Sequence, residues 1–368
     1  VASLHDLSRL GQSVWLDFID RNLVNNGGLQ RLVDSGVAGV TTNPTIFHKA
    51  ISGSGDYDEA IRELLERDHQ IQAADICEAL MVADVQGAAD VLRPVYERTS
   101  GRDGYVSLEV PPDLAYSVER TYEAAHHVWR EVARPNVLIK VPGTAEGVKA
   151  FERLTADGIN INVTLLFSIA RYEQVVRAWA RGLARNPHPE RIASVASFFV
   201  SRVDTKTDKR LEGLGSPEAR RLMGRAAIAN AKLAYRRFVM LTAEPDIAAQ
   251  LKRGARPQRP LWASTSTKNP AYRDVLYVES LIGKDTVNTV PPETLDAFLY
   301  HGEALSTLEA DLDVAQRDLE ALAKLGVDLD AITAELEREG VTSFRDSWDK
   351  LIASLKQKCF AVAKAYAG

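Results

Sequence analysis

Eight short runs of β-branched and apolar residues recur along the chain, at residues 14–18, 39–42, 105–110, 137–141, 161–167, 192–200, 260–264 and 286–290, separated by longer stretches of another pattern. In those stretches, among them 58–65, 114–132, 146–154 and 218–241, apolar residues fall near every third and fourth position, the period of an amphipathic helix. Strand followed by helix, eight times over, is the signature of an α/β chain folded as a (β/α)8 TIM barrel. Most of the runs are nearly continuous rather than alternating, Leu138-Ile139-Lys140-Val141 being the clearest. Parallel strands covered by helices outside and packed inside must read that way, because both faces are buried. A doubly wound sheet would also alternate strands with helices, but no Gly-x-Gly-x-x-Gly follows the first run.

Two connections, 45–104 and 202–259, are long and helix-patterned, and read as insertions decorating one barrel. The segment 293–368 is almost wholly helical in pattern and exceeds one barrel helix, so it is expected to pack over the outside or the mouth. The expectation is one domain spanning 1–368. With 45 Lys and Arg against 50 Asp and Glu, the net charge of -5 argues against nonspecific nucleic-acid binding while allowing a local basic pocket. No stretch approaches the roughly 18 apolar residues of a membrane span, and residues 1–12 lack a basic flank leading into an apolar run, so a cytoplasmic protein is expected. Cys77 and Cys359 lie far apart in helical contexts and read as small buried hydrophobes rather than a disulfide or thiolate metal site. The seven histidines form no His-Glu-x-x-His, and the adjacent His126 and His127 point to different helix faces. No protein-bound metal and no organic cofactor are expected.

Each run carries a polar residue within it or just past its C-terminal end, where active sites of such barrels are built. These are Asp17, Asn43, Glu109, Lys140, Thr164 and Ser197, with Arg202 and Lys268 beyond later runs. A buried charge is costly unless paired or used. Lys140 stands among Val137, Leu138, Ile139 and Val141; apolar walls would favour its neutral amine, the nucleophile that attacks a ketone. The plainer reading, a lysine guarding a sheet edge, loses force in a closed barrel, which has no edge. Asp17 could instead cap the following helix, although Asp20 suits that role better. Glu109 sits inside an apolar run before Pro111-Pro112, where a solvated face is not expected, and a carboxylate there can relay protons through water. Asn43 before Pro44 could simply open a turn, and Thr164 is an ordinary strand residue. Arg202 and Lys268 are commonplace as surface charges, but their positions also suit a phosphate grip, bidentate for arginine and a point charge for lysine.

Taken in order, these stretches resemble the transaldolase family from residue 14 to about residue 290. Trp15-Leu16-Asp17 is similar to its first-strand aspartate motif, Thr41-Thr42-Asn43-Pro44 to its second-strand segment, and Val106-Ser107-Leu108-Glu109-Val110 to its third. Leu138-Ile139-Lys140 resembles the Schiff-base lysine motif, and the nine residues from Asn160 to Ser168 its Asn-x-Asn-x-Thr-Leu-Leu-Phe-Ser strand. The resemblance implies that Lys140 forms an imine with a ketose, Asp17 serves as acid and base in carbon–carbon cleavage, and Glu109 with Thr164 holds a catalytic water. It further implies that Asn43 and Asn162 orient a dihydroxyacetone unit, that Ser197 and Phe199 line the pocket, and that Arg202, Ser266 and Lys268 hold phosphate. Many relatives carry arginine where this chain has Lys268, which keeps the cation and changes its geometry.

The expected activity is therefore transfer of a dihydroxyacetone unit from sedoheptulose 7-phosphate or fructose 6-phosphate to glyceraldehyde 3-phosphate or erythrose 4-phosphate, in the non-oxidative pentose phosphate pathway. The partners are small sugar phosphates, with no nucleic acid or membrane, and a monomer or homodimer both fit. The nearest rival is a fructose 6-phosphate aldolase-like enzyme that releases dihydroxyacetone. Such relatives are short, whereas this chain has a C-terminal helical segment able to close the mouth and exclude water. The rival from another class is a catalytically silent sugar-phosphate binder, which would need the phosphate grip but not Lys140, Asp17 and Glu109 together.

Overall fold

Buried on nearly every residue, eight parallel strands close into a barrel in the order of the chain. They are β1 (Gln12–Leu16), β2 (Gly39–Thr41), β3 (Tyr105–Glu109), β4 (Val137–Pro142), β5 (Ile161–Leu166), β6 (Ser194–Phe199), β7 (Arg259–Ala263) and β8 (Thr286–Val290). Pairing of β8 with β1, from Gln12↔Thr286 to Leu16↔Val290, completes the ring. The computed structural model describes residues 2–366. Among them no helix is long and apolar enough to cross a membrane. β1 begins and ends two residues earlier than the apolar run suggested, so Asp17 lies just past its C-terminal end.

Several strands hand over to helices through short links whose polar residue caps the helix. The Asn43 Oδ1 accepts from the Ile46 N–H at 3.0 Å after β2, the Thr144 Oγ1 from Gly147 at 3.0 Å after β4, and the Ser168 Oγ from Arg171 at 3.1 Å after β5. Each cap satisfies an otherwise unpaired N–H of the first helical turn and fixes where the strand end points. The expected helix at 218–241 is two, Pro217–Leu222 and Ala226–Thr242, broken at Gly224 with φ 70°. Both cysteines are free thiols, Cys77 buried and Cys359 half-buried.

The helices of the C-terminal segment serve three different ends. Helix Pro292–His301 follows β8 as a barrel helix, Leu312–Lys324 packs outside on Ala226–Thr242, and the 38-residue helix Leu329–Tyr366 crosses the C-terminal end of the barrel. That last helix packs on Pro44–Gly53, on Ser201–Leu214 and on β5. Thr45 Oγ1 donates to Ser347 Oγ at 2.9 Å, and ion pairs join Arg171 to Glu337 at 3.3 Å and Lys206 to Glu335 at 2.7 Å. Gly340 lets it approach: a Cβ there would stand 2.9 Å from Leu165 Cδ2.

Candidate active site

The strands that carry charged residues at their C-terminal ends aim them at one another. Lys140 on β4 is 5% exposed, and its Nζ donates to the Thr42 carbonyl at 2.8 Å and ion-pairs with Glu109 Oε1 on the neighbouring β3 at 3.1 Å. The apolar run around Lys140 thus does not give an apolar cage. Alternation sends its apolar neighbours outward and leaves the amine facing a carbonyl and a carboxylate. Burial pushes the Glu109 carboxyl above its ordinary range, Lys140 opposes that rise, and Asp17 adds to it. Apart from the lysine contact, no hydrogen bond reaches either Glu109 oxygen or the nearby Thr164 Oγ1 among the described residues, although all three atoms are buried. Buried acceptors left open in this way call for a water or a substrate group. A cavity of about 20 Å³, room for about one water, adjoins Glu109, Lys140 and Thr164.

The backbone of β5 is bent to make this possible. Its register with β6 shifts between Val163 and Leu166, and Leu165 has φ 62°, a left-handed conformation that a bulky side chain adopts only when its surroundings force it. Thr164 and Leu165 consequently both face the mouth, Thr164 toward Lys140 and Leu165 against the C-terminal helix.

Asp17 faces the same space. Asp20, not Asp17, caps the next helix, its Oδ1 accepting from Leu23 N–H at 2.6 Å. The Asp17 Oδ1 accepts from Thr41 Oγ1 at 2.7 Å, and Thr41 shares a further contact with Thr289 Oγ1 at 2.6 Å. Burial raises the Asp17 carboxyl above its usual range against the pull of Thr41 and Lys140, with Glu293 adding to the rise. Raising a carboxyl in this way makes its protonated form more accessible, which suits a group that must both give and take a proton.

A cavity of about 450 Å³ opens from Lys140 to solvent, and nine of the sequence-predicted residues line it: Asp17, Asn43, Lys140, Thr164, Ser197, Phe199, Arg202, Ser266 and Lys268. Glu109 meets it through the small adjoining cavity. Asn162 is not among the residues that line it. Its side chain is fully buried, donating from Nδ2 to Ser107 Oγ at 3.1 Å and accepting at Oδ1 from Ser197 Oγ at 2.6 Å. Strand pairing sets Asn162 beside Lys140, so it holds Ser197 and the strand ends together from beneath. Asn43 is both a helix cap and a cavity residue.

At the far side, Arg202 opens the helix Ser201–Leu214 with its guanidinium 5.3 Å from the Phe199 ring centroid and no ion pair among the described residues. Burial lowers its pKa and Asp17 opposes this, yet a guanidinium stays charged. Exposed Lys268 donates to Ser266 Oγ at 2.7 Å. Two cationic heads without an ion pair among the described residues thus line one cavity, Arg202 in the first turn of its helix, an arrangement suited to an anion. Lys49, Thr41, Thr289, Glu293 and Phe344 also line the cavity and are not singled out by the sequence. Thr41 stands within a quoted motif, whereas Phe344, 5.9 Å from Lys140 Nζ at its ring centroid, carries no signal because its helix reads as ordinary amphipathic sequence.

The family model described as Transaldolase/Fructose-6-phosphate aldolase matches residues 14–355. A protein named transaldolase from Thiobacillus denitrificans is 47% identical over 355 residues, covering 95% of this chain and 98% of its own. Another of that name from Acidothermus cellulolyticus is 49% identical over 358 residues, covering 96% and 95%. One from Mycobacterium bovis is 44% identical over 357 residues, covering 95% of each.

Proposed function

Since the chain belongs to the transaldolase/fructose-6-phosphate aldolase family, we propose that it is a transaldolase in which Lys140, Asp17, Glu109 and Thr164 carry the chemistry. It moves a dihydroxyacetone unit from fructose 6-phosphate or sedoheptulose 7-phosphate to glyceraldehyde 3-phosphate or erythrose 4-phosphate. The observation that carries the reading is the open valence around Lys140: an amine beside a carboxylate and a hydroxyl whose acceptor sites face one water-sized space.

Lys140 Nζ gives a proton to Glu109 and attacks the ketose C2, and the carbonyl oxygen takes up a proton. The carbinolamine then loses that oxygen as water, with Glu109 and the Thr164 hydroxyl guiding the proton through the small cavity, and a protonated imine forms. Asp17 takes the C4 hydroxyl proton as the C3–C4 bond breaks, and the electron pair is held as an enamine. The aldehyde departs. The enamine carbon attacks the incoming aldose phosphate, Asp17 returns the proton to the new alkoxide, and water releases the ketose from Lys140. Asn43 orients the three-carbon unit, Ser197 and Phe199 shape its pocket, and Arg202, Ser266 and Lys268 hold the phosphate. Asn162 acts through Ser197. All these side chains come from one chain, so a monomer or a homodimer has complete sites, and one barrel domain in the cytoplasm, among the sugar phosphates, suffices.

Borohydride reduction in the presence of fructose 6-phosphate, followed by peptide mapping, tests the reading. The expected result is a three-carbon adduct on Lys140 that disappears when erythrose 4-phosphate is added. An adduct on another lysine, or none, overturns it, and free dihydroxyacetone accumulating without an acceptor would make the enzyme an aldolase.

A further inference from the structure

Two buried carboxylates take no part in the chemistry above. Asp204 is 1% and Asp208 6% exposed, neither lines the cavity, and neither has an ion-pair partner among the described residues. Keeping such groups in a protein interior is costly, so what they hold matters. Both lie on the helix Ser201–Leu214, which also carries Arg202. Ser201, Asp204 and Asp208 stand three and four residues apart and therefore share one face of it.

That face is a ladder for the connection after β7. At the first rung the Ser201 N–H donates to the Ser264 carbonyl at 2.9 Å and the two hydroxyls meet at 2.9 Å. At the second, Tyr277 Oη donates to Asp204 Oδ2 at 2.8 Å; at the third, Tyr272 Oη donates to Asp208 Oδ2 at 2.6 Å. The other oxygen of each aspartate accepts a backbone N–H from farther along its own connection, Ala227 at 2.7 Å and Gly224 at 2.9 Å. Gly224 has φ 70°, and a Cβ there would stand 2.8 Å from Tyr272 Cζ, so the ring is boxed in from that side. Between rungs, the chain bears Ser266 and Lys268. Lys268 is joined to Tyr272 by a tight turn, in which Ala271 N–H donates to Asn269 Oδ1 at 2.9 Å and Tyr272 N–H to the Asn269 carbonyl at 3.1 Å.

We propose that Asp204, Asp208, Tyr272 and Tyr277 are positioning residues that set Ser266 and Lys268 in register with Arg202, and so determine how tightly a phosphorylated ketose is held. The inference rests on the reading of Arg202, Ser266 and Lys268 as the phosphate grip. Arg202 and Lys268 come from different connections, and the ladder is what makes their separation a fixed length. Loss of one rung loosens Lys268 without touching Lys140, so the effect falls on substrate binding and spares the bond-making steps.

Tyr272→Phe removes one hydroxyl and keeps the ring. The expected result is a KM for fructose 6-phosphate raised about five- to tenfold, a part of what one hydrogen bond to a charged group is worth because the bond acts on the grip indirectly, with kcat within about twofold of the parent. The KM for unphosphorylated fructose stays unchanged. Asp208→Asn keeps KM near the parent value, because its Oδ1 accepts from Gly224 and its Nδ2 donates to Tyr272 Oη. A thermal melt of each variant confirms that folded protein is compared. Lys268→Met, assayed in parallel, tests the underlying reading: a loss confined to the phosphorylated donor supports the grip, and equal effects on both donors overturn it. With the grip intact, an unchanged KM in Tyr272→Phe, or equal losses for fructose and its phosphate, overturns the positioning role.

Discussion

The two ends of the barrel both bury charge, and they treat it in opposite ways. At the N-terminal end Asp103 accepts from Ser13 Oγ at 2.7 Å, from Trp15 Nε1 at 3.1 Å and from Arg259 Nη2 at 3.0 Å. Arg259 donates in addition to Ser13 Oγ at 2.8 Å and to the Arg102 carbonyl at 2.6 Å. The N-terminal halves of β1 and β7 and the approach to β3 are tied by one closed network. At the C-terminal end Lys140 has a carboxylate beside it, but Glu109 and Thr164 keep acceptors open. Burial is equally deep at both ends, so depth alone does not mark the working site. An open carboxylate does, since its missing partner is what the substrate or its water supplies, whereas the open groups at the N-terminal end, Gln12 Oε1, Asn136 Oδ1 and Gln258 Oε1, are neutral amide oxygens.

Substitutions at the two ends should therefore separate activity from stability. Lys140→Met is expected to lower kcat/KM by about 10⁴-fold or more, as loss of a covalent nucleophile does, while urea unfolding shows a smaller loss of stability than at the other end, because Glu109, already pushed above its ordinary range by burial, can take up a proton once the lysine is gone. Arg259→Met should do the reverse. Removing one partner of a buried pair leaves Asp103 uncompensated and costs about 3–5 kcal/mol, whereas KM in the protein that remains folded stays near the parent value. Equal destabilisation by the two substitutions would erase the distinction between the ends.

A smaller effect has a characteristic pH dependence. Asp17 is held above the ordinary carboxyl value of 3.8 by burial, so the folded chain binds its proton more tightly than the unfolded chain does. The stability this contributes is fully present below about pH 3.8 and is lost as pH rises through the folded-state pKa. Asp17→Asn still accepts from Thr41 and carries no charge to bury. It should be more stable than the parent by about 1 kcal/mol at neutral pH, an advantage that disappears below about pH 4. Unfolding free energies measured from pH 3 to pH 8 decide the matter, and a constant difference across that range would show that Asp17 is not a strained acid.

The same contrast explains what can be read from the sequence. Strands buried on both faces must be apolar throughout, so Asp17, Glu109 and Lys140 stand out as charges in the wrong place, and the barrel and the candidate site at its mouth are legible together. Asp103 and Arg259, just before apolar runs in the sequence, look like ordinary turn charges. Asp204 and Asp208 belong to Asp204-Thr205-Lys206-Thr207-Asp208, which reads as a solvated face until tyrosines from a distant connection cover it. The motif around Asn162 points it into the cavity, but Ser107 and Ser197 absorb its amide, and no local pattern announces a cross-strand partner. Phe344 reaches Lys140 only because the last helix folds back over the mouth. What a residue touches at long range is set by packing, and sequence periodicity reports only which face it occupies.

The smallest expected effect concerns the cation at position 268. At the N-terminal end Arg259 uses both terminal guanidinium nitrogens, Nη1 and Nη2, on different partners, a task for a planar fork that a single ammonium cannot fill. Lys268, exposed and donating among the described residues only to Ser266, is not tied down in that way, and its flexible stem would meet phosphate as a point charge. Lys268→Arg should offer a bidentate pair of donors and lower the KM for fructose 6-phosphate by about two- to fivefold, with kcat unchanged and inhibition by inorganic phosphate strengthened in proportion. A raised KM would mean that the connection after β7 is set for the shorter reach of lysine. In that case the geometry at the mouth of this barrel is fixed no less firmly than at its floor, and the two ends differ only in what completes them.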